Sequence, residues 1–324
     1  FGGYPALPAL LAATAAKLPS VVHEQNAVLG RVNRLLAGRV DAIATAYEEV
    51  ERLKHKHVDK VHLVGNPVRP EVLVLRDEDY PAFTEDGLLK VLVTGGSQGA
   101  RVLSEVVPDG LAMLPPALRQ RLQVTQQCRV EDLERVRERY RAHDIPAELG
   151  TYFEDMEVRL ADCHLFIGRA GASTIAELTA VGRPAILIPL PIATDDHQAA
   201  NTREMVKAGG ARMIRQPAVT IKEVTGWDDK DNRTRVAQAD AFQKLAKDIS
   251  LQIQAMAMAP QTLANAAHAA WNCGRPHAAR DLADLVESFG GIDLMDVIRV
   301  GGDNHQRTTE TAQAAGLANQ DRAA

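Results

Sequence analysis

The sequence predicts an α/β protein built on parallel β-sheets, because short apolar runs repeatedly precede a glycine or polar turn and then a helix. Residues 163–167 form one apolar run and residues 168–172 a turn. Residues 173–181 then carry apolar side chains at helical spacing before a second run at residues 185–190. Another glycine-rich turn follows the apolar run at residues 88–94. Strand, turn, helix and strand in this order form a βαβ unit, whose helix begins at the carboxyl edge of a parallel sheet.

The composition is that of a soluble globular protein large enough for two domains. The chain has 324 residues, of which 46% are hydrophobic and 24% charged, so each of two domains can bury its own core. The formal charge of −5 argues against a protein that covers nucleic acid or an anionic membrane through bulk charge. With aromatic residues at only 4%, platforms for base stacking are not expected.

Cysteine usage and hydropathy exclude further classes. The three cysteines lack CxxC spacing and provide neither a zinc site nor a disulfide framework, which fits a reducing cytoplasm. No run is long and apolar enough to span a bilayer, and no signal peptide is evident. The sequence opens at Phe1 inside a glycine turn, so we expect a truncated chain.

The turn at residues 168–172 is a candidate ligand site. Backbone N–H groups and the positive end of the helix dipole meet at such a helix start and suit an anion. Glu177 follows in the first turns of the helix, where its carboxylate suits two adjacent hydroxyls such as those of a ribose. A capped turn with a solvated glutamate is an equally good interpretation of this segment alone.

Residues 95–100 (GGSQGA) form a second candidate site. A glycine-rich turn between a strand and a helix lets the backbone approach a phosphate closely, and Ser97 adds a hydroxyl donor. No lysine follows, so this is not a Walker A loop, and the full GxGxxG dinucleotide fingerprint is absent. A tight turn without a ligand is the alternative.

Three further polar segments lie at predicted strand ends, where α/β proteins place ligand contacts. They are residues 23–26 (HEQN), residues 65–69 (GNPVR) and residues 195–201 (DDHQAAN). An ordinary capped turn is the alternative for the first, and proline stiffens the second into a connection between domains. In the third, Asp and His have no partner cluster that supports a metal, so we expect hydrogen bonds to a sugar or phosphate.

The pattern weakens beyond residue 216. Residues 227–240 are charged and show no clear period, whereas residues 242–258 and the amphipathic stretch after Pro276 are typical of helices. Residues 301–324 contain one leucine and no aromatic residue, a composition that predicts disorder.

In content and order, these motifs together resemble the MurG family of peptidoglycan N-acetylglucosaminyltransferases. The resemblance rests on residues 23–26, 65–69, 95–101 (GGSQGAR), 169–174 (RAGAST) with Glu177, and 196–198 (DHQ). It covers about residues 1–216 and returns at residues 274–289. It implies transfer of N-acetylglucosamine from UDP-N-acetylglucosamine to undecaprenyl-diphosphate-linked N-acetylmuramyl pentapeptide, with inversion at the anomeric carbon and with neither metal nor cofactor.

The family fold implies the glycosyltransferase B architecture, in which two Rossmann-like parallel-sheet domains face a cleft, here with the first domain truncated. Residues 1–69 are then expected in the acceptor and membrane-side domain, and residues 70–273 in the UDP-sugar-binding domain. Residues 274–290 are expected to form a helix that crosses back to the first domain, followed by a disordered tail at residues 291–324. The family's first glycine-rich loop and most of its apolar membrane-contact surface are missing from this sequence, and residues 227–240 resemble an insertion.

The resemblance also implies site residues. Those expected to bind UDP-N-acetylglucosamine are Asn26, Arg69, Gly96, Ser97, Gln98, Phe153, Ala172, Ser173, Thr174, Glu177, Gln198 and Asn201. Within this set, the loop around Ser97 is expected at the diphosphate, the backbone of Phe153 at the uracil, and Glu177 at the ribose. As the base that takes the acceptor proton, this chain offers Glu24 or His23.

Two other functions fit the same motifs. One is a related nucleotide-sugar enzyme of this fold, such as a UDP-sugar epimerase or a glycolipid glycosyltransferase. The other is a UDP-sugar-binding fragment without activity. The family resemblance implies a peripheral protein on the cytoplasmic side of the bacterial inner membrane, with no nucleic-acid partner.

Overall fold

The computed structural model describes residues 5–96, 100–191, 194–217 and 229–290, with the backbone alone at residues 194, 229–236 and 290. The strands in these ranges form two parallel sheets, which confirms the predicted α/β class. The first sheet has the order β1-β2-β3. Its strands are β1 (Val21–Glu24), β2 (Ala42–Thr45) and β3 (Val61–Leu63).

The second sheet has six parallel strands in the order β6-β5-β4-β7-β8-β9. These are β4 (Leu89–Thr94), β5 (Leu122–Gln127), β6 (Ala147–Gly150), β7 (Leu165–Gly168), β8 (Ala185–Leu187) and β9 (Ala211–Met213). The chain leaves β4 toward β5 and β6, then returns to add β7, β8 and β9 on the other side. The strand order therefore reverses between β4 and β7, and the crevice at their carboxyl ends is where doubly wound sheets bind ligands.

Helices surround both sheets. In the described ranges the α-helices are α1 (Ala6–Ala15), α2 (Arg31–Leu36), α3 (Pro70–Leu73), α4 (Arg101–Ala112), α5 (Pro116–Arg119), α6 (Leu133–Ala142), α7 (Met156–Asp162), α8 (Ala172–Ala180), α9 (His197–Asn201), α10 (Arg203–Ala208), α11 (Asp229–Ala257), α12 (Pro260–Asn272) and α13 (Ala278–Gly290). Short 3₁₀ turns occupy His55–Lys60, Val130–Asp132 and Thr194–Asp196. Among the helices that are described, none combines the length and apolar character needed to cross a membrane.

The apolar core differs between the two sheets. The first sheet has one small cluster, in which Val22 and Ile43 pack against Leu36 of α2. In the second sheet, alternate residues of β4 enter clusters on opposite faces, as expected from the period of two in a strand. Val91 packs on the side of α4 and α11, whereas Leu92 packs on the side of α8 and α12.

The chain passes between the two halves at Gly65 and again at residues 273–278. Gly65 has a φ of +93°, and a Cβ on it would lie 2.7 Å from the Cβ of Arg275 and 3.0 Å from that of Ala278. A side chain at residue 65 is therefore both strained and obstructed. Farther along α13, Phe289 meets the ring of His62 of β3 edge-on, with centroids 6.3 Å apart. The last described helix thus contacts the first sheet.

The structure adds to what the sequence indicated after residue 216. Residues 227–240 show no clear period in the sequence, yet from Asp229 onward they belong to α11, which continues to Ala257. Residues 229–240 contain no glycine or proline, so nothing in them interrupts a helix that is stabilised by packing farther along, where Leu245 and Ile249 are buried. Residues 227–228 and the predicted tail at residues 291–324 lie outside the described residues.

Candidate functional site

A cavity of about 460 Å³ opens at the crevice between β4 and β7. It is lined by Arg69, Leu92, Thr94, Gly96, Gln127, Thr151, Tyr152, Phe153, Glu154, Met156, Leu160, Phe166, Thr174 and Glu177. Five of these residues were predicted from the sequence to bind one ligand. The fold brings them together because their segments all end at, or cross, the carboxyl edge of the second sheet.

Arg69 and Glu177 form an ion pair at the mouth of this cavity. Nε of Arg69 donates to Oε1 of Glu177 at 2.9 Å, and Nη1 lies 3.9 Å from Oε2 of Glu157. Pro70 opens α3 directly after Arg69 and holds Arg69 in extended backbone. The hydrogen bond to Glu177 raises the pKa of Arg69, so a full positive charge stays at the cavity mouth.

Two helix starts face the same crevice. The cap residues of α4 and α8 are Ala100 and Gly171, and neither helix has a side-chain hydrogen bond at its cap. At α8, whose cap is a glycine, the first backbone N–H groups therefore suit an anion. Gly96, with a φ of +78°, begins the loop that leads from β4 to α4. The predicted diphosphate contacts Ser97 and Gln98 lie outside the described residues.

The turn between β1 and α2 has a different character. Oε1 of Glu24 accepts from the backbone N–H of Asn26 at 3.1 Å and from its Nδ2 at 3.4 Å. Oε2 accepts from the N–H of Gly30 at 2.7 Å and from Nδ2 of Asn33 at 2.9 Å. Glu24 is buried, and both of its oxygens hold the turn together in this structure.

His23 is also buried beside this turn. Its Nε2 donates to the carbonyl of Gly65 at 2.9 Å, so the neutral ring carries its lone pair on Nδ1. Burial lowers the pKa of His23 below the usual value, and the hydrogen bond to Gly65 acts in the opposite direction. His23 is therefore neutral at pH 7.

A third set of polar contacts joins the two halves. Asn201, which is fully buried, accepts from the N–H of Ala27 at 2.8 Å and donates to Oδ1 of Asn26 at 3.1 Å. Asp195 accepts from Arg34 at 2.9 Å and from Arg52 at 2.6 Å. The helix α9 is thus attached to the first half of the molecule on both sides, by Asp195 just before it and by Asn201 at its end.

The remaining predicted residues occupy different surroundings. Oε1 of Gln198 accepts from the N–H of Leu190 at 2.9 Å, which holds the loop after β8. Ser173 is exposed on α8, whereas Ala172 lines a separate cavity of about 40 Å³ beside Tyr47 and Arg275. No group of three or more metal-ligating side chains occurs among the described residues.

Sequence reasoning did not identify several cavity residues. Gln127 ends β5 and its Nε2 donates to the carbonyl of Thr151 at 3.1 Å, while Tyr152 stands largely exposed at the rim. Gln127 is the last residue of β5, a position where α/β sheets place ligand contacts. Thr151 and Tyr152 carry no local signal that separates them from ordinary loop residues.

Two family models match the chain. The glycosyltransferase family 28 C-terminal domain matches residues 90–253, which contain the second sheet, and the N-terminal domain of the same family matches residues 1–45. The first match contains the cavity residues from Leu92 to Glu177. The second contains the turn of Glu24 and Asn26.

Relatives of known name match nearly the whole chain. A protein of Erythrobacter litoralis is 72% identical over 310 residues, which are 96% of this chain and 72% of that protein. One of Novosphingobium aromaticivorans is 73% identical over 300 residues, 93% of this chain and 71% of that protein. Both are named UDP-N-acetylglucosamine--N-acetylmuramyl-(pentapeptide) pyrophosphoryl-undecaprenol N-acetylglucosamine transferase.

Solved structures agree on the fold. The crystal structure of Acinetobacter baumannii MurG aligns with a TM-score of 0.66 at 26% identity, covering 89% of this chain and 72% of that one. A UDP-N-acetylglucosamine 2-epimerase from Listeria monocytogenes aligns with a TM-score of 0.51 at 14% identity, covering 89% and 72% of the two chains. The second likeness shows the fold alone.

Proposed function

Because this chain belongs to the MurG family within glycosyltransferase family 28, we propose that it transfers N-acetylglucosamine from UDP-N-acetylglucosamine to N-acetylmuramyl pentapeptide on pyrophosphoryl-undecaprenol. Relatives named for this reaction are 72% and 73% identical to the chain. The observation that carries the proposal is the cavity at the switch point of the second sheet, where Arg69, Phe153 and Glu177 converge. The product is the disaccharide lipid used in peptidoglycan synthesis.

We propose one orientation for the donor in this cavity. The ribose hydroxyls donate to the Glu177 carboxylate, and the uracil lies against the backbone of Phe153. We expect the diphosphate near Gly96 and the starts of α4 and α8, where these helix starts and the Arg69 guanidinium supply positive potential. Ser97 and Gln98 remain its contacts predicted from the sequence. We expect the N-acetylglucosamine to point toward Asn26 and Gln198, whereas Asn201 is fully buried in this structure and donates to Oδ1 of Asn26 at 3.1 Å.

The reaction exchanges one bond at the anomeric carbon for another. A muramyl hydroxyl attacks this carbon from the face opposite the diphosphate, the bond to the diphosphate oxygen breaks, and the configuration inverts. Negative charge grows on the leaving UDP as the sugar gains oxocarbenium character. Backbone N–H groups and the Arg69 cation, fixed in place before the reaction, stabilise that charge.

The proton of the attacking hydroxyl needs an acceptor, and His23 suits this better than Glu24. Both carboxylate oxygens of Glu24 are engaged within the β1–α2 turn. His23 is held by Gly65 through Nε2, which leaves the Nδ1 lone pair of the neutral ring able to accept a proton. We therefore assign the general base to His23 and the shape of the turn to Glu24.

The substrates also define the location. UDP-N-acetylglucosamine is a water-soluble nucleotide sugar, whereas the acceptor is anchored in the bilayer by its undecaprenyl chain. An enzyme that joins them works at the membrane surface. We place this protein peripherally on the cytoplasmic face of the bacterial inner membrane, and cosedimentation with vesicles containing the acceptor lipid tests that placement.

A transfer assay tests the proposed function. The chain is incubated with radiolabelled UDP-N-acetylglucosamine and a lipid-linked muramyl pentapeptide, and the label in the lipid fraction is counted against a Glu177→Ala control. Transfer by the unmodified chain is expected. Conversion of the donor to its epimer without acceptor indicates the epimerase instead. UDP binding without transfer indicates a binding fragment, and either result overturns the proposal.

A further inference from the structure

The ring of Phe153 packs against two residues of neighbouring segments. One is Gly150, the last residue of β6, where an added Cβ would sit 2.9 Å from two of the ring carbons. The other is Arg159, whose guanidinium lies over the ring with its central carbon 4.2 Å from the centroid. Phe153 is consequently buried, although it belongs to a loop whose neighbour Tyr152 is largely exposed.

Arg159 is itself held from two sides. Its Nε donates to Oδ1 of Asp155 at 2.7 Å, and its Nη1 donates to Oε2 of Glu148 at 2.6 Å. One carboxylate comes from the start of α7 and the other from β6, so the guanidinium plane is fixed across the ring. These hydrogen bonds raise the pKa of Arg159 and lower that of Asp155.

The loop that this arrangement fixes forms one wall of the switch-point cavity. Thr151, Tyr152, Phe153 and Glu154 all line it. The start of the loop is attached separately, because Nε2 of Gln127 donates to the carbonyl of Thr151. The backbone between Thr151 and Glu154 is therefore anchored at Thr151 by Gln127 and at Phe153 by Arg159 and Gly150.

We propose that Arg159 is a positioning residue for the nucleotide base, acting through the ring of Phe153 on the backbone that meets the uracil edge. This inference rests on the proposed function, since it deepens the assignment of the donor site. Arg159 does not touch the substrate. It sets the distance at which the loop backbone presents its hydrogen-bonding groups to the base, and so favours uracil over cytosine, whose edge carries the opposite donors and acceptors.

A purely structural role for Arg159 predicts that its loss lowers the unfolding temperature, which we do not expect. Its carboxylate partners Glu148 and Asp155 have side chains 58% and 52% exposed, and ion pairs this open to solvent contribute little to folding stability. Loss of Arg159 should therefore barely change the unfolding temperature. A change confined to recognition of the base is the signature of positioning.

The test compares Arg159→Met and Arg159→Lys with the unmodified chain. Arg159→Met keeps an unbranched side chain, although a shorter one, and removes the charge and both hydrogen bonds. We expect KM for UDP-N-acetylglucosamine to rise roughly 5- to 20-fold, as for a lost cation–π contact, with kcat within about twofold. We also expect the ratio of UDP to CDP affinity, measured by calorimetry, to fall. Arg159→Lys should recover part of the KM and part of the UDP-to-CDP affinity ratio, because it restores a cation over the ring.

The matched control is Arg137→Met, which removes a half-buried arginine paired with Glu134 on α6 and should leave KM and base preference unchanged. The inference is overturned if Arg159→Met keeps the ratio of UDP to CDP affinity, or if KM, kcat and unfolding temperature all worsen together. If the unmodified chain itself fails to bind UDP, the proposed function fails instead, so the two failures are distinguishable.

Discussion

Two strand–turn–helix segments in this molecule are built alike, but their glutamates have different hydrogen-bond partners. In each, the turn follows a parallel strand, leads into a helix and has a glutamate beside it: Glu24 ends β1 before the turn into α2, and Glu177 lies in α8 after the turn from β7. The Glu24 carboxylate accepts four hydrogen bonds, all from residues of its own turn and helix. The Glu177 carboxylate is bonded by Arg69, which lies 108 positions away in the chain.

The difference shows what separates a structural carboxylate from a binding one. Donors that come from the same turn move with the carboxylate and stay bonded whether or not a ligand is present. The Glu177 carboxylate can exchange its donor, an exposed arginine at the mouth of a cavity, for a ribose hydroxyl. That exchange leaves no buried group unpaired. What distinguishes a structural from a binding glutamate is therefore where its hydrogen-bond donors lie in the chain, because the residue type is the same in both.

The largest effect is expected from Glu24→Ala. It leaves the N–H of Gly30 and Nδ2 of Asn33 without their acceptor inside the protein, and each buried unpaired group costs about 1–3 kcal/mol. We expect the free energy of unfolding to fall by about 3 kcal/mol or more, measured by urea denaturation. Glu131→Ala, at a side chain 63% exposed, is the control. A loss below about 1 kcal/mol contradicts the structural role of Glu24.

Glu177→Ala is expected to weaken UDP binding and to leave folding stability nearly unchanged. Removal of the carboxylate deletes hydrogen bonds from the ribose to a charged group, worth about 1.5–3 kcal/mol, so the UDP affinity should fall roughly 10- to 100-fold. The free energy of unfolding should change by less than about 0.5 kcal/mol. Calorimetric titration with UDP provides the measurement, with Glu134→Ala on α6 as the control. Unchanged affinity removes Glu177 from the nucleoside site.

A smaller effect is expected at the contact between the halves. Asp195→Asn removes the charge that Arg34 and Arg52 share, yet asparagine tolerates the left-handed backbone at this position, where φ is +61°. We expect a loss of about 1 kcal/mol in stability that shrinks in high salt, because salt screens partly exposed ion pairs. Urea denaturation at low and high sodium chloride checks this. A loss that does not depend on salt points to a change in the loop backbone instead.

The smallest effect is expected from pH. Burial lowers the pKa of His23 and of His164, so the unfolded chain takes up protons at a higher pH than the folded one. Stability is then complete above the unfolded pKa of about 6.5 and is lost as pH falls below it toward the folded pKa. His23→Gln should reduce the decline in stability between pH 7 and pH 5. An identical decline in that variant assigns it to other groups.

Much of this architecture could be predicted from local sequence. The apolar runs before Gly95 and Gly168 mark strands β4 and β7, and their glycine turns mark the two loops of the crevice. Periodicity could not reveal that residues 229–240 continue α11, because their helical conformation depends on packing that begins farther along. Nor could it reveal the pairing of Arg69 with Glu177, or the packing of Arg159 over Phe153, since both depend on how separate elements meet in space.

The close approach of Gly65 to Arg275 and Ala278 has a mechanical consequence. One covalent connection between two domains permits rotation in every direction. Two connections that lie side by side leave bending about the line through them as the motion of lowest energy. In this molecule the two adjacent connections are Gly65 and residues 273–278, and the contacts of Asn201 and Asp195 join the same two halves. We therefore expect any relative motion of the halves to bend at Gly65 and at residues 273–278, and to break the contacts of Asn201 and Asp195.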